Sequence, residues 1–395
     1  MSREALRCLA NALVLNEPAR QVFVDLGFAP KAAARLRSED LDDEFLISRI
    51  LFLLTYNTKL DFKRLDDEHG LVVSINAHLA RHAEASAGPA RTRPPMEDMA
   101  MGELLKLTFN LTYYYPDLIP RFTAARQPLI DLLLRLPLSR PSLQPPLTLV
   151  INALLNLDLG GTTEENGSAL NEKDGTSDFI EGSTQLIGRL VVILQDAIKS
   201  MRESELDQAA APIFTLLRRI YGLADGEGKA AMRKALLPGE EDREQPLGQG
   251  DSLSARLLRL STSPHLSTLR ENISSLLFEL SDKDANQFVR NIGYGYASGF
   301  LMSHNLPVPA AATAGANSGN RVPADDFDVN PITGQRVSAE DRQRQTTTEM
   351  TDEEKEREAE RLFVLFERLR ATGVVDVKNP VQQAMDEGRF EELPD

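Results

Sequence analysis

One pattern recurs along the chain and restricts its fold more than any other. A polar residue is followed by apolar filling and, four positions on, by asparagine. It appears as Arg7-Cys-Leu-Ala-Asn11, as Lys106-Leu-Thr-Phe-Asn110 and as Asn152-Ala-Leu-Leu-Asn156. Residues four apart share one face of a helix, so each copy reads as a helical stripe. From Asn110 to Asn156 is 46 residues, and from Asn11 to Asn110 is 99, about two such units. An intermediate copy, Ser48-Arg49-Ile-Leu-Phe-Leu-Leu-Thr55, keeps the basic residue and has no asparagine. Apolar stripes at helical spacing run with it: Leu6, Leu9 and Leu13; Ile47, Ile50, Leu51 and Leu54; Leu104, Leu107 and Leu111. Sustained alternation of the strand kind is hard to find.

Helices alone, repeating every ~40–47 residues, fall in the armadillo and HEAT range. The expected fold is therefore all-α: a right-handed α-solenoid of stacked helix hairpins, with one helical layer lining a concave groove. Glycines in Asp25-Leu26-Gly27 and Glu68-His69-Gly70 stand where a helix C-terminus needs a left-handed residue. Four segments read as loops by composition: Ala83–Pro95, Gly160–Ser183, Pro238–Gly250 and Asn305–Asn330. The expected organisation is a repeat domain over 1–304, a flexible linker over 305–349, and an amphipathic helix with an acidic end over 350–395. No polar cap precedes Arg3, so further repeats are expected ahead of it.

The charge narrows the partners. Forty-four basic against 59 acidic residues leave a net −15, the wrong sign for a nucleic-acid clamp. A single cysteine, Cys8, excludes an internal disulfide and a cysteine-based zinc site. No apolar run approaches the ~18 residues of a transmembrane helix, and the N-terminus lacks a signal-peptide pattern. The chain is read as soluble and cytoplasmic, without direct membrane insertion.

No catalytic constellation is legible. Gly222–Lys229 has glycines and a lysine, but Walker spacing fails and Ala230 stands where a magnesium-binding hydroxyl is needed. It reads as a turn between two helices. Gly293-Tyr-Gly-Tyr-Ala-Ser-Gly299 misses dinucleotide spacing by one residue and reads as a tight backbone junction with Tyr294 and Tyr296 packing. His78 and His82 are four apart, with no third ligand nearby in sequence except His69 and no HExxH glutamate, and read as a solvated helix face. No metal and no cofactor is expected.

The asparagines admit two readings. Asn offers donor and acceptor together, so a groove-lining row can grip the backbone of a bound peptide, with Arg7, Arg49 and Lys106 pairing its terminal carboxylate. Equally, the asparagines satisfy loops inside the solenoid. The C-terminal region is the second informative part: 19 acidic and 11 basic residues lie between Arg321 and Asp395. Within it, Thr351 and Glu354 form a capping box, Gly373 ends a helix, and Ala359, Leu362, Phe363, Phe366 and Leu369 form one apolar stripe. Such a helix needs a surface to dock on, either its own solenoid or a partner. Thr346–Thr348 and Thr351 precede acidic residues in the manner of acidophilic kinase sites, Thr348 and Thr351 above all.

The order GYGxAxG over Gly293–Gly299, Asn330-Pro-Ile-Thr-Gly334, and Met350-Thr-Asp-Glu-Glu-Lys with its Leu-Phe-Val-Leu-Phe-Glu-Arg-Leu helix resembles the synembryn family. Leu6–Pro18, Arg49–Thr55 and Leu105–Thr112 resemble the corresponding upstream helices, and the Asn379–Leu393 ending resembles the fungal branch. The resemblance implies an armadillo-like, non-enzymatic exchange factor and folding chaperone for heterotrimeric G-protein α subunits. It implies a monomer, recruited to the cell cortex by its partner, that binds GDP-loaded Gα free of βγ. The C-terminal helix of Gα would enter the concave groove, the tail helix would embrace the switch region, and the nucleotide-free state would be stabilised. Groove positions carried over are Asn11, Arg49, Phe109, Asn110 and Asn156. Arg256 and Arg259 would form a basic patch for the tail or its phosphates, and Leu362, Phe363 and Phe366 would be the tail's contact face. Family members carry about two further helical repeats before the position of Met1. The competing expectation is an armadillo peptide-binding adaptor without exchange activity.

Overall fold

The computed structural model describes residues 3–88, 93–160, 175–309 and 329–346, together with Arg357 and Arg361. The regular structure among these residues is helical, with a single isolated bridge between Val329 and Arg336 in place of any strand. Two compact units are present, Met1–Val337 and Ser338–Asp395. In the second, Arg357 and Arg361 are helical.

The first unit is built in two layers of helices. One runs α1 (Arg3–Leu15), α4 (Leu41–Leu54), α7 (Pro95–Tyr114), α9 (Leu147–Leu155), α12 (Ala211–Leu223), α15 (Ser267–Leu280) and α17 (Tyr294–Ser303), each packed on the next. The other runs α3 (Ala29–Arg35), α5 (Phe62–His69), α6 (Leu71–Ala87), α8 (Arg126–Arg135), α10 (Gly175–Ser200), α13 (Gly226–Leu236) and α14 (Leu253–Ser261). Short connectors α2 (Pro18–Asp25), α11 (Glu203–Ala209) and α16 (Ala285–Ile292) join them. Between the layers lies one continuous apolar core from Leu6 to Leu301, with Phe62, Phe122, Phe214 and Phe288 fully enclosed.

Local chemistry sets the helix starts. Asp40 accepts the amides of Asp42 and Asp43 ahead of α4, Asp61 that of Arg64, Asp225 that of Gly228, Ser252 that of Ala255 and Asp284 that of Gln287. Each satisfies an otherwise orphaned first-turn donor. Gly27 and Gly70 are left-handed, as their helix-end positions predicted. Ala224 and Asp225 make the turn expected over Gly222–Lys229, joining α12 to α13.

Several boundaries differ from the compositional reading. Ala83–Ala87 belongs to α6, whose apolar face continues through Ala83, so the loop there is shorter than Ala83–Pro95. The backbone is helical again from Gly175, inside the segment read as Gly160–Ser183. Pro238–Gly250 contains a 3₁₀ turn, Glu241–Glu244, and is pinned by Asp242, which accepts from Ser254 Oγ (2.7 Å) and Gly239 N (2.9 Å). The first unit extends to Val337, taking in residues 329–337 of the stretch read as linker. Main-chain hydrogen bonds, invisible to composition, hold them there.

Candidate partner-binding surface

The recurring asparagines resolve into a ladder between successive helices of the first layer. Asn110 on α7 is buried and donates its amide to Thr55 Oγ1 at the end of α4 (2.7 Å). Asn156, at the end of α9, donates to Thr112 Oγ1 near the end of α7 (3.3 Å). Each threonine hydroxyl gives its own proton back along its helix, Thr55 to Phe52 O and Thr112 to Thr108 O, which leaves its lone pairs for the asparagine. The next rung changes chemistry. Arg219 on α12 caps the last carbonyls of α9, those of Leu154 (3.1 Å) and Leu155, and reaches Leu157 O just beyond it (2.6 Å). Burial lowers that guanidinium's pKa, with Asp158 opposing.

Of the two readings of the asparagines, Asn110 therefore follows the internal one: its amide serves the neighbouring helix. Asn156 makes the same rung half-exposed, and Asn11 is exposed on α1 with no described helix before it to supply an acceptor. The signal for the rungs was in the sequence, since the copies Ser48–Thr55 and Leu105–Thr112 both end in threonine. A further rung, Asn291 Nδ2 to Ser281 Oγ (2.9 Å), lies outside the repeat spacing.

Beside the ladder an aromatic strip crosses α4 and α7. Phe52 meets Tyr56 edge-on at 5.3 Å, Tyr56 meets Tyr114 at 6.0 Å, Tyr114 meets Tyr113 at 5.0 Å, and Tyr113 stacks on Phe109 at 5.6 Å and 14°. Tyr113 and Tyr114 remain 60% and 49% exposed, and Leu15 at the end of α1 is 86% exposed. Rigid aromatics left open to water on regular elements are the typical anchors of protein interfaces.

A charged spot adjoins the strip. The buried carboxylate of Glu103 takes Arg49 Nη1 (3.2 Å) and Lys106 Nζ (2.9 Å) on one oxygen, and Arg49 also lies 6.0 Å from the Phe45 ring. Two half-exposed cations share one anion, so the spot stays positive and suits a carboxylate. Glu103 had no sequence signal of its own. Arg7, by contrast, pairs with Glu4 and Asp42.

One expectation is corrected, and others fall elsewhere. His78 and His82 are not on a solvated face: both are buried against Glu44, which is 0% exposed and meets His82 Nε2 at 2.7 Å, His78 Nδ1 at 3.4 Å and the Arg81 guanidinium. The second layer turns α6 inward onto α4, which spacing within α6 alone does not reveal. Arg256 is half-exposed and Arg259 exposed, both on α14. Arg259 donates to the carbonyls of Gly248 and Gly250, and Arg256 to Asp251, so both also brace the loop before α14. Thr348, Thr351, Leu362, Phe363 and Phe366 lie outside the described residues.

Among the described residues no group of metal-ligating side chains has the geometry to hold an ion. No described helix is long and apolar enough to cross a membrane. What the surface offers is binding: aromatic anchors, a positive spot and a fixed helical frame.

Comparison with known proteins places this surface in context. The family model described as guanine nucleotide exchange factor synembryn matches residues 1–389. A synembryn-like chaperone of Schizosaccharomyces pombe is 34% identical over 186 residues, covering 45% of this chain and 34% of that protein. The chaperone Ric-8A of Rattus norvegicus is 25% identical over 387 residues, 93% of this chain and 71% of its own length. That of Bos taurus is 26% identical over 407 residues, 94% of this chain and 72% of its own length. Since the family match runs through the helical unit and nearly to the C-terminus, this chain belongs to the synembryn family.

Proposed function

We propose that the chain is a folding chaperone and guanine nucleotide exchange factor for heterotrimeric G-protein α subunits. The family match over residues 1–389 carries this reading, and the names of the relatives, chaperone Ric-8A and synembryn-like chaperone, agree with it. The first layer of helices then forms the concave side of an armadillo-like, right-handed stack, and the C-terminal helix of GDP-bound Gα lies along it. Its apolar face meets Phe109, Tyr113 and Tyr114, and its terminal carboxylate meets Arg49 and Lys106. The tail stripe Leu362, Phe363 and Phe366 takes a second part of the partner. The chain works as a monomer in the cytoplasm, drawn to the cortex by its partner.

Exchange of this kind is differential binding. A protein that holds the nucleotide-free conformation more tightly than the GDP-bound one shifts the partner toward it, and GDP leaves. Chaperoning follows from the same preference, since partly ordered Gα is also nucleotide-free. The chemistry needed is hydrophobic and charge complementarity, which the α4–α7 surface supplies.

The test is release of labelled GDP from purified Gα, with and without this chain. Acceleration that disappears when residues 340–395 are deleted supports exchange. Binding of a peptide from the Gα C-terminus with no acceleration would instead identify a peptide-binding adaptor. On the proposed surface, Tyr113→Ala should weaken that peptide by about 2 kcal/mol in calorimetry. An unchanged affinity would remove the aromatic strip from the interface.

A further inference from the structure

The motifs Gly293–Gly299 and Asn330-Pro-Ile-Thr-Gly334 play no part in the surface above, yet the fold brings them together. Residues 329–336 lie against the segment 243–247 and against the junction of α16 and α17. Four main-chain hydrogen bonds join them: Tyr294 N to Pro331 O (2.8 Å), Gly295 N to Ile332 O (3.1 Å), Leu247 N to Thr333 O (3.1 Å) and Arg336 N to Arg243 O (2.9 Å). The first two use first-turn donors of α17 that have no partner within their helix. Side chains complete the seat. Arg243 reaches Gly334 O (2.9 Å) and Asn291 O (3.0 Å), Gln335 donates to Glu244 O (3.2 Å), and Tyr296 Oη donates to Leu247 O (3.0 Å).

The docked segment has a fixed shape. Asn330 Oδ1 accepts from Ile332 N (2.9 Å) and Thr333 N (3.3 Å), and Gly334 N closes the turn on Asn330 O (2.8 Å). Fit requires glycine on both sides. Gly293 has φ +78°, and a Cβ there would stand 2.8 Å from Ile332 O; Gly334 has φ +67°, and a Cβ there would run into the Leu247 side chain. Main-chain pairing supplies the hold and the glycines supply the selectivity, the division of labour seen when an extended peptide is captured by an exposed backbone edge.

We propose that residues 243–247 and the start of α17 form a binding site for an Asn-Pro-Ile-Thr-Gly turn, filled by this chain's own residues 330–334. The chain is then fixed to the repeat unit at residues 329–336 as well as at α17. Residues 329–336, which lead into the C-terminal region, are then held to the last repeat non-covalently as well as by chain connectivity. This inference is independent of the exchange reading.

The experiment cuts the chain between α17 and residue 329. A specific protease sequence is inserted after Ala316 in the full chain, the chain is cleaved, and the product is run on a sizing column under native conditions. The C-terminal piece should co-elute with the repeat piece at the mass of one chain. Asn330→Ala, which alters only the occupant, should speed separation of the cut pair by about tenfold, and Gly334→Val should abolish co-elution. Circular dichroism of the uncut variants reports whether the repeat unit is intact. Separation of the cut, otherwise unaltered chain would overturn the proposal. So would co-elution that survives both substitutions with the repeat unit folded, and so would a cut species with the mass of two chains, in which a second copy fills the site.

Discussion

The α4–α7 region and the junction around α17 are held by opposite means. Around α4, side chains do the joining: Asn110 of α7 to Thr55, Arg49 to Glu103 of α7, and Arg81, His78 and His82 of α6 onto buried Glu44. Around α17 the backbone does it, through carbonyls 331–333 and amides 247, 294 and 295, with glycines admitting the close approach. The first kind of contact breaks when a side chain is removed. The second kind breaks when one is added.

The largest expected effect tests that rule at its most buried point. Glu44→Ala leaves the Arg81 and His82 partners facing an empty, dry site, and should cost about 3 kcal/mol of unfolding free energy in urea. A loss below a few tenths of that would mean that packing, not charge pairing, joins α4 to α6. Adding a methyl group at the other region comes next. Gly293→Ala should cost about 2 kcal/mol and release the amides of Tyr294 and Gly295 to hydrogen exchange. Unchanged protection there would show that the junction tolerates a side chain.

The rungs sharpen the comparison within the first region. Asn110→Ala should cost about 1.5 kcal/mol, since Thr55 loses its donor in a buried place, and Asn156→Ala about 0.5 kcal/mol, its rung being longer and half-exposed. Equal losses would deny that burial sets the strength of the rungs. The smallest effect is one of pH. Burial lowers the pKa of His78 below 6.5, against the pull of Glu44 and with Arg81 and His82 adding to the lowering. Between the folded and unfolded values the unfolded chain binds more protons, so stability should fall as pH drops below 6.5. Gln at this position, which keeps a donor for Leu36 O, should flatten that part of the profile by less than about 1 kcal/mol.

Much of the first region was legible because its signals are periodic. Apolar stripes located α1, α4 and α7, and the asparagine spacing located α9 and two of the rungs. Glu103 and Glu44 escaped because an isolated acid in a helix looks the same whether it faces water or the next layer. The second region left only its glycines as a trace. Gly293–Gly299 marked a tight junction and Asn330–Gly334 a family motif, but neither says what it touches. Arg256 and Arg259 read as a basic pair in sequence, and only the fold shows that they also hold the loop before α14.

Sequence alone determined that this chain is helical, that its helices repeat, and that its family is the synembryn one, because periodicity and motif spacing are properties of a line of residues. Tertiary structure decided which asparagines face a neighbouring helix, which histidines lie dry, and where the C-terminal segment returns to the repeat unit. Those outcomes depend on pairings between residues about 40 to 90 positions apart. A layer turned by one helix face, or a carbonyl brought to an orphaned amide, fixes such pairings only once the chain has packed.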